Sequence, residues 1–144
     1  PIYEMTAYQS RTEETLANLM KQRTILNVRK KKRQALYDAL ADVEALAPAK
    51  ALYENGLSGM EDEFARYMEA VHLLEQCGIP PKHLTQEKTE VYNQLADLNR
   101  QIRAERKKLV LCREIQTASQ QMEKDIRKIE TRGKEVEHDE HRRR

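Results

Sequence analysis

The residues with the most obvious chemistry in this chain are two clusters of bases. Arg29, Lys30, Lys31, Lys32 and Arg33 follow one another without interruption, and Arg100, Arg103, Arg106, Lys107, Lys108 and Arg113 crowd a second stretch. Ammonium and guanidinium groups at that density are suited to neutralising phosphates, so the clusters point to a polyanion such as DNA. Nucleophilic or metal chemistry has no comparable set. His72, Cys77 and His83 lie near one another, but no fourth ligand accompanies them and their spacing matches no standard zinc site. There is no Ser-His-Asp or Cys-His arrangement on a credible scaffold, no P-loop and no GxGxxG. The sequence therefore predicts no catalytic residue, no metal ligand and no cofactor, and a protein that is not an enzyme.

Composition narrows the setting. The 26 Lys and Arg are balanced by 24 Asp and Glu, for a net charge of +2, so only local clustering can argue for a nucleic acid. With 35% charged residues, 39% hydrophobic residues and a mean hydropathy of -0.88, there is little material for a compact core. Trp is absent and Phe occurs once, which leaves Leu, Ile, Val, Met and Ala to form narrow apolar stripes. Cys77 and Cys112 form no CxxC, in keeping with a reduced, cytoplasmic location. No apolar run approaches the ~20 residues that span a bilayer, and the opening PIYEMTAYQS lacks the basic and apolar regions of a secretory signal. No membrane partner is expected.

The elements that must position the basic clusters follow from the helix breakers. Pro48, Gly56, Gly59, Gly78, Pro80 and Pro81 all fall in one central window; Ile2 to Ala47 and Lys82 to Arg132 contain neither proline nor glycine. Leu16, Leu19, Met20, Leu26, Leu36, Leu40, Val43 and Leu46 recur at helical spacing in the first stretch. Val91, Leu95, Leu98, Ile102, Leu109, Cys112, Ile115, Met122, Ile126 and Ile129 form a near-heptad seam in the second. Ser10 with Glu13 and Ser58 with Glu61 have capping-box spacing, Thr85 is a further candidate cap, and Asn55-Gly56 and Cys77-Gly78 supply stops. The prediction is an all-α fold: an elongated antiparallel helical hairpin of two long helices, coiled-coil-like, with two short helices at the closed end. The predicted helices cover about 11–47, 48–54, 59–77 and 85–132 within a single domain, 1–132. Residues 133–144 are expected to form a disordered charged tail.

In such a hairpin, Ala47 level with residues near 90 and Arg11 level with residues near 130 would set position 31 opposite position 108. The two basic clusters would then form one waist, with Lys30, Lys31, Lys32, Arg103, Arg106, Lys107 and Lys108 as outward DNA contacts. Arg29 and Arg33 fall where the first stripe lapses between Leu26 and Leu36, and Glu105 occupies a seam position, which predicts a buried or half-buried ion pair among them. The same runs also fit ordinary solvated helix, since five successive residues point all round it. Tyr37, Tyr53, Tyr67 and Tyr92 could stack on bases or simply pack, with Tyr67 and Tyr92 better suited to fixing the closed end.

The stretch RAERKKLVLCREI at Arg103 to Ile115, followed by MEKDIRKIE at Met122 to Glu130, resembles the helical region behind the nuclease domain of relaxases, the mobilization nucleases of conjugative elements. ENGLSGMEDEF at Glu54 to Phe64 is similar to the linker between their earlier helices. The resemblance covers about the last two thirds of the chain. It implies an accessory portion that contacts DNA, relaxosome proteins or transfer-machinery proteins. The relaxase nucleophilic tyrosine and histidine cluster have no counterpart here, and the basic-serine pair after the cysteine segment stands as Ala118-Ser119. The rival expectation is a coiled-coil protein-protein interaction or homodimerisation module without nucleic-acid binding.

Overall fold

The computed structural model describes the backbone of residues 2–142 and the side chains of residues 4–136. The described residues form three helices, α1 (Ile2–Glu54), α2 (Glu61–Gln76) and α3 (Pro81–Arg142), so the fold is all-helical as predicted. No described helix is long and apolar enough to cross a membrane. Two compact units divide the chain: a central unit, Leu19–Gln101, and a terminal unit made of Pro1–Asn18 and Ile102–Arg144.

Several helix boundaries differ from expectation. The helices predicted over 11–47 and 48–54 are one, with Pro48 inside α1. A proline there removes a single i→i−4 hydrogen bond and crowds one carbonyl. The residues beyond it are held by tertiary contacts: the Tyr53 ring stacks on Phe64 with centroids 4.2 Å apart, and Lys50 Nζ lies 5.3 Å from the centre of the Tyr67 ring. Ser10 lies well inside α1 rather than capping it. Ahead of it Gln116 of α3 donates to Gln9, which ties this part of the helix down, and the buried Thr12 satisfies its hydroxyl on the Tyr8 carbonyl.

The stop at Asn55-Gly56 behaves as its chemistry requires. Gly56 has φ +89°, its amide donates to the Tyr53 carbonyl, and the Leu57 amide donates to the Leu52 carbonyl. Those two bonds together are a Schellman motif, which needs a residue comfortable in the left-handed region. The Ser58 box does not form. Met60 occupies the cap position of α2 without a side-chain bond, and Glu61 instead accepts from the Gly59 amide at 3.0 Å. Glu61, Asp62 and Glu63 then place negative charge against the positive end of the helix. Thr85 likewise does not cap α3, which starts at Pro81; its hydroxyl donates to the Pro81 carbonyl. Pro81 suits a first helical position because its missing N–H has no partner there in any case.

The tail predicted to be disordered from residue 133 continues α3 through Arg142; residues 143 and 144 lie outside the described residues. Gly133 does not end the helix, because a single glycine costs only about 1 kcal/mol against alanine and its Lys, Glu and Arg neighbours are good helix formers.

In the central unit, the core joins Tyr37 and Ala39 of α1 to Ala70 and Leu74 of α2 and Leu84 of α3. Contacts descend α1 as they ascend α2 and then α3: Tyr53 with Phe64, Lys50 with Tyr67, Arg33 with Glu87, Arg23 with Asn99. One short helix therefore lies along α1, where two were expected at the closed end. Because α2 occupies α1 above Tyr37, α3 begins at the Tyr37 level. Position 31 is consequently level with residues near 90, displaced from the expected 108 by about 18 residues, or roughly 27 Å of helix.

Candidate interaction surfaces

The predicted basic residues fall in both units. Lys30, Lys31 and Lys32 belong to the central unit, where α3 presents Tyr92 opposite Lys30. Lys30 Nζ lies 4.7 Å from the Tyr92 ring centroid and Lys88 Nζ lies 5.9 Å from it, so two cations share one aromatic ring. Lys31 and Lys32 are exposed. Lys88, absent from the predicted set, joins this cluster because it precedes Tyr92 by one helical turn.

Arg103, Arg106, Lys107 and Lys108 are exposed in the terminal unit. Lys108 donates to Glu105 at 2.9 Å, and that hydrogen bond, with the carboxylate's charge, raises the Lys108 pKa. Within the central unit the register sets Lys30 beside Tyr92, and the α3 basic run of the predicted waist belongs to the terminal unit.

The expected ion pair is also reassigned. Arg33 Nε donates to Glu87 at 3.2 Å, Glu105 pairs with Lys108, and Arg29 is exposed. The register is again the reason. Glu87 accepts a second bond from the Tyr37 hydroxyl at 2.9 Å. Burial first, then the Glu87 hydrogen bond and charge, push the Tyr37 pKa up to about 12, with Arg33 opposing. Tyr37, at 1% exposure, is a packing residue that offers no face to a base.

His72 is exposed, while the half-buried Cys77 thiol donates to the Leu74 carbonyl at 3.0 Å. Among the described residues no three His, Cys, Asp or Glu side chains converge as a metal site would require.

The most extensive surface lies on α3 in the terminal unit. Ile102, Leu109 and Cys112 are buried there, but Leu111, Ile115, Met122, Ile126, Ile129 and Val136 are 48% to 69% exposed. Every residue from 117 to 136 is exposed. At about 100° per residue, Leu111, Ile115, Ala118, Met122, Ile126, Ile129, Gly133 and Val136 fall within a strip roughly 80° wide. The continuous seam predicted through Cys112, Ile115 and Met122 is thus two faces, one covered and one bare. Leu111 was missed, although its steps of four and three to Ile115 and Ala118 carry the signal.

Searches against protein-family models, curated proteins and solved structures find no match for this chain.

Proposed function

We propose that this chain is a non-catalytic helical interaction module, coiled-coil-like in its pairing, whose working surface is the bare apolar face of α3. The observation that carries this reading is the run of large side chains from Leu111 to Val136, all exposed and all on one strip. An apolar strip of that length, flanked by charges, has the pattern by which a helix takes a helical partner. A photoreactive residue in place of Met122 or Ile129 tests it, with the opposite-face position Lys124 as control. Adducts in cells from the first two positions and not from the third are expected; equal yields from both faces would contradict the reading.

A second reading is an accessory module of a DNA-mobilization, relaxase-like protein that contacts DNA phosphates, relaxosome proteins or transfer proteins in the cytoplasm. It is favoured by Lys30 and Lys88 meeting at the Tyr92 ring and by the exposed Lys31, Lys32, Arg103, Arg106, Lys107 and Lys108. Phosphate binding would make affinity fall steeply with salt. Electrophoretic shifts with single- and double-stranded DNA at two salt concentrations provide the test, repeated with Lys30, Lys31, Lys32, Lys107 and Lys108 changed to Glu. Binding lost in the variant supports this reading, and binding unchanged in the variant or absent from the parent sinks it.

A further inference from the structure

We infer that the bare α3 face takes a basic amphipathic helix from another protein, one whose apolar stripe is bordered by Lys and Arg. The inference rests on the reading of that strip as a contact surface and adds the chemistry of its partner. The sorting of charge around α3 carries it, and the period of the strip gives the partner its pattern.

From Arg113 to Val136 the chain has five acids and six bases, so the segment as a whole is nearly neutral. The helix sorts them by side. At about 100° per residue, Glu114 and Asp125 on one side of the strip and Glu123 and Glu130 on the other lie within about 100° of its midline, with Arg132 the one base among them. Arg113, Lys124, Arg127, Lys128 and Lys134 lie about 120° or more from the midline, on the far side of the helix, with Glu135. All of these residues are exposed. Among the described residues Glu114, Glu123 and Glu130 form no ion pair, and Asp125 accepts from Gln121 at 3.1 Å. The apolar strip is therefore edged by carboxylates that no cation of the chain engages.

Charged positions beside an apolar seam set the choice of helical partner, because they come level with the borders of the facing helix. Acidic borders select Lys and Arg there. A second copy of α3, in either direction, would set acidic borders against acidic borders and leave the bases of both copies facing solvent.

The strip also has a definite period. Leu111, Met122 and Gly133 stand eleven residues apart, as do Ile115 and Ile126, and Ala118 and Ile129. An 11-residue period of about 3.67 residues per turn keeps a strip nearly straight along a helix whose own period is about 3.6. A second helix can thus follow it from Leu111 to Val136, roughly 38 Å. Ala118 and Gly133 are two shallow levels where that helix can insert large side chains, and at Gly133 a Cβ would meet nothing within 4 Å.

Two synthetic helical peptides test the inference, both with Leu at steps of four, three and four, bordered by Lys in one and by Glu in the other. In fluorescence anisotropy titrations with the whole chain at low salt, the Lys-bordered peptide should bind at least about 10-fold more tightly, and its advantage should shrink as salt rises. Glu114→Gln, Glu123→Gln, Asp125→Asn and Glu130→Gln together, all at exposed positions, should remove most of that advantage. Met122→Ser with Ile129→Ser should weaken the Lys-bordered peptide at least about 10-fold, as a contact made by the strip and its borders together requires. Equal affinity for the two peptides overturns the inference, as does an advantage that survives the four amide substitutions or binding indifferent to the serine pair. A parent chain that dimerises in analytical ultracentrifugation and is dissociated by Met122→Glu assigns the face to a second copy and also overturns it. If neither peptide binds while photoreactive positions 122 and 129 still give adducts, the basic occupant fails and the contact-surface reading stands.

Discussion

The Tyr37 region of the central unit and the α3 segment from Leu111 to Val136 are both helix, and both have apolar residues at helical spacing, yet they are opposites in burial. Tyr37 and Leu84 are at most 1% exposed and are closed over by three helices, with a carboxylate, a guanidinium and a phenol satisfying one another at the edge. The α3 segment also carries apolar residues at helical spacing, but from residue 117 to 136 it has none of the cover. A heptad-like pattern therefore indicates that a face wants a partner without indicating whether the chain supplies one. Stability should be concentrated in the first region and association in the second, and substitutions can break or sharpen that division.

The largest effect expected is from truncating the covered region. Tyr37→Ala or Leu84→Ala removes a side chain at the junction of α1, α2 and α3 and should cost about 3 to 5 kcal/mol in chemical denaturation. A loss below about 1 kcal/mol would mean that the core is not there.

Next in size is a pH effect. The Tyr37 pKa is raised from 10.0 to about 12, so its neutral form is favoured by folding. The associated stability is complete below pH 10 and is lost as the pH rises from 10 to 12. Two units correspond to about 2 to 3 kcal/mol. Denaturation midpoints should fall across that window in the parent and less in Tyr37→Phe; parallel curves would contradict the assignment. At neutral pH Tyr37→Phe should itself cost about 1 kcal/mol, since Glu87 keeps Arg33 as a partner.

The bare region should respond differently. Gly133→Ala meets open space and should raise the helicity of the α3 end by about 1 kcal/mol, read by circular dichroism. Met122→Glu should change the stability of the isolated chain by less than about 0.5 kcal/mol. A large loss there would show that the strip is covered within the chain.

Much of this was legible from residue order. The helical class follows from the apolar spacing, and the stops at Gly56 and Gly78 from the need for positive φ, observed as +89° and +70°. What local pattern could not supply was register. Ser10 and Ser58 carry capping motifs, but helix ends were decided by longer-range contacts such as Gln116 with Gln9 and Tyr53 with Phe64. The folding of α2 back along α1 is a choice of tertiary packing, and it alone moves Lys30 from the level of Lys108 to that of Tyr92. The seam misled for a related reason: steps of three and four admit both Cys112 and Leu111 before Ile115, and only burial separates the covered face from the bare one.

Amide hydrogen exchange of the whole chain tests the central claim most directly. Amides around Tyr37 and Leu84 should exchange slowly, while those of residues 117–136 should exchange fast. Protection of 117–136 equal to that of the Tyr37 region in a dilute sample would contradict the account.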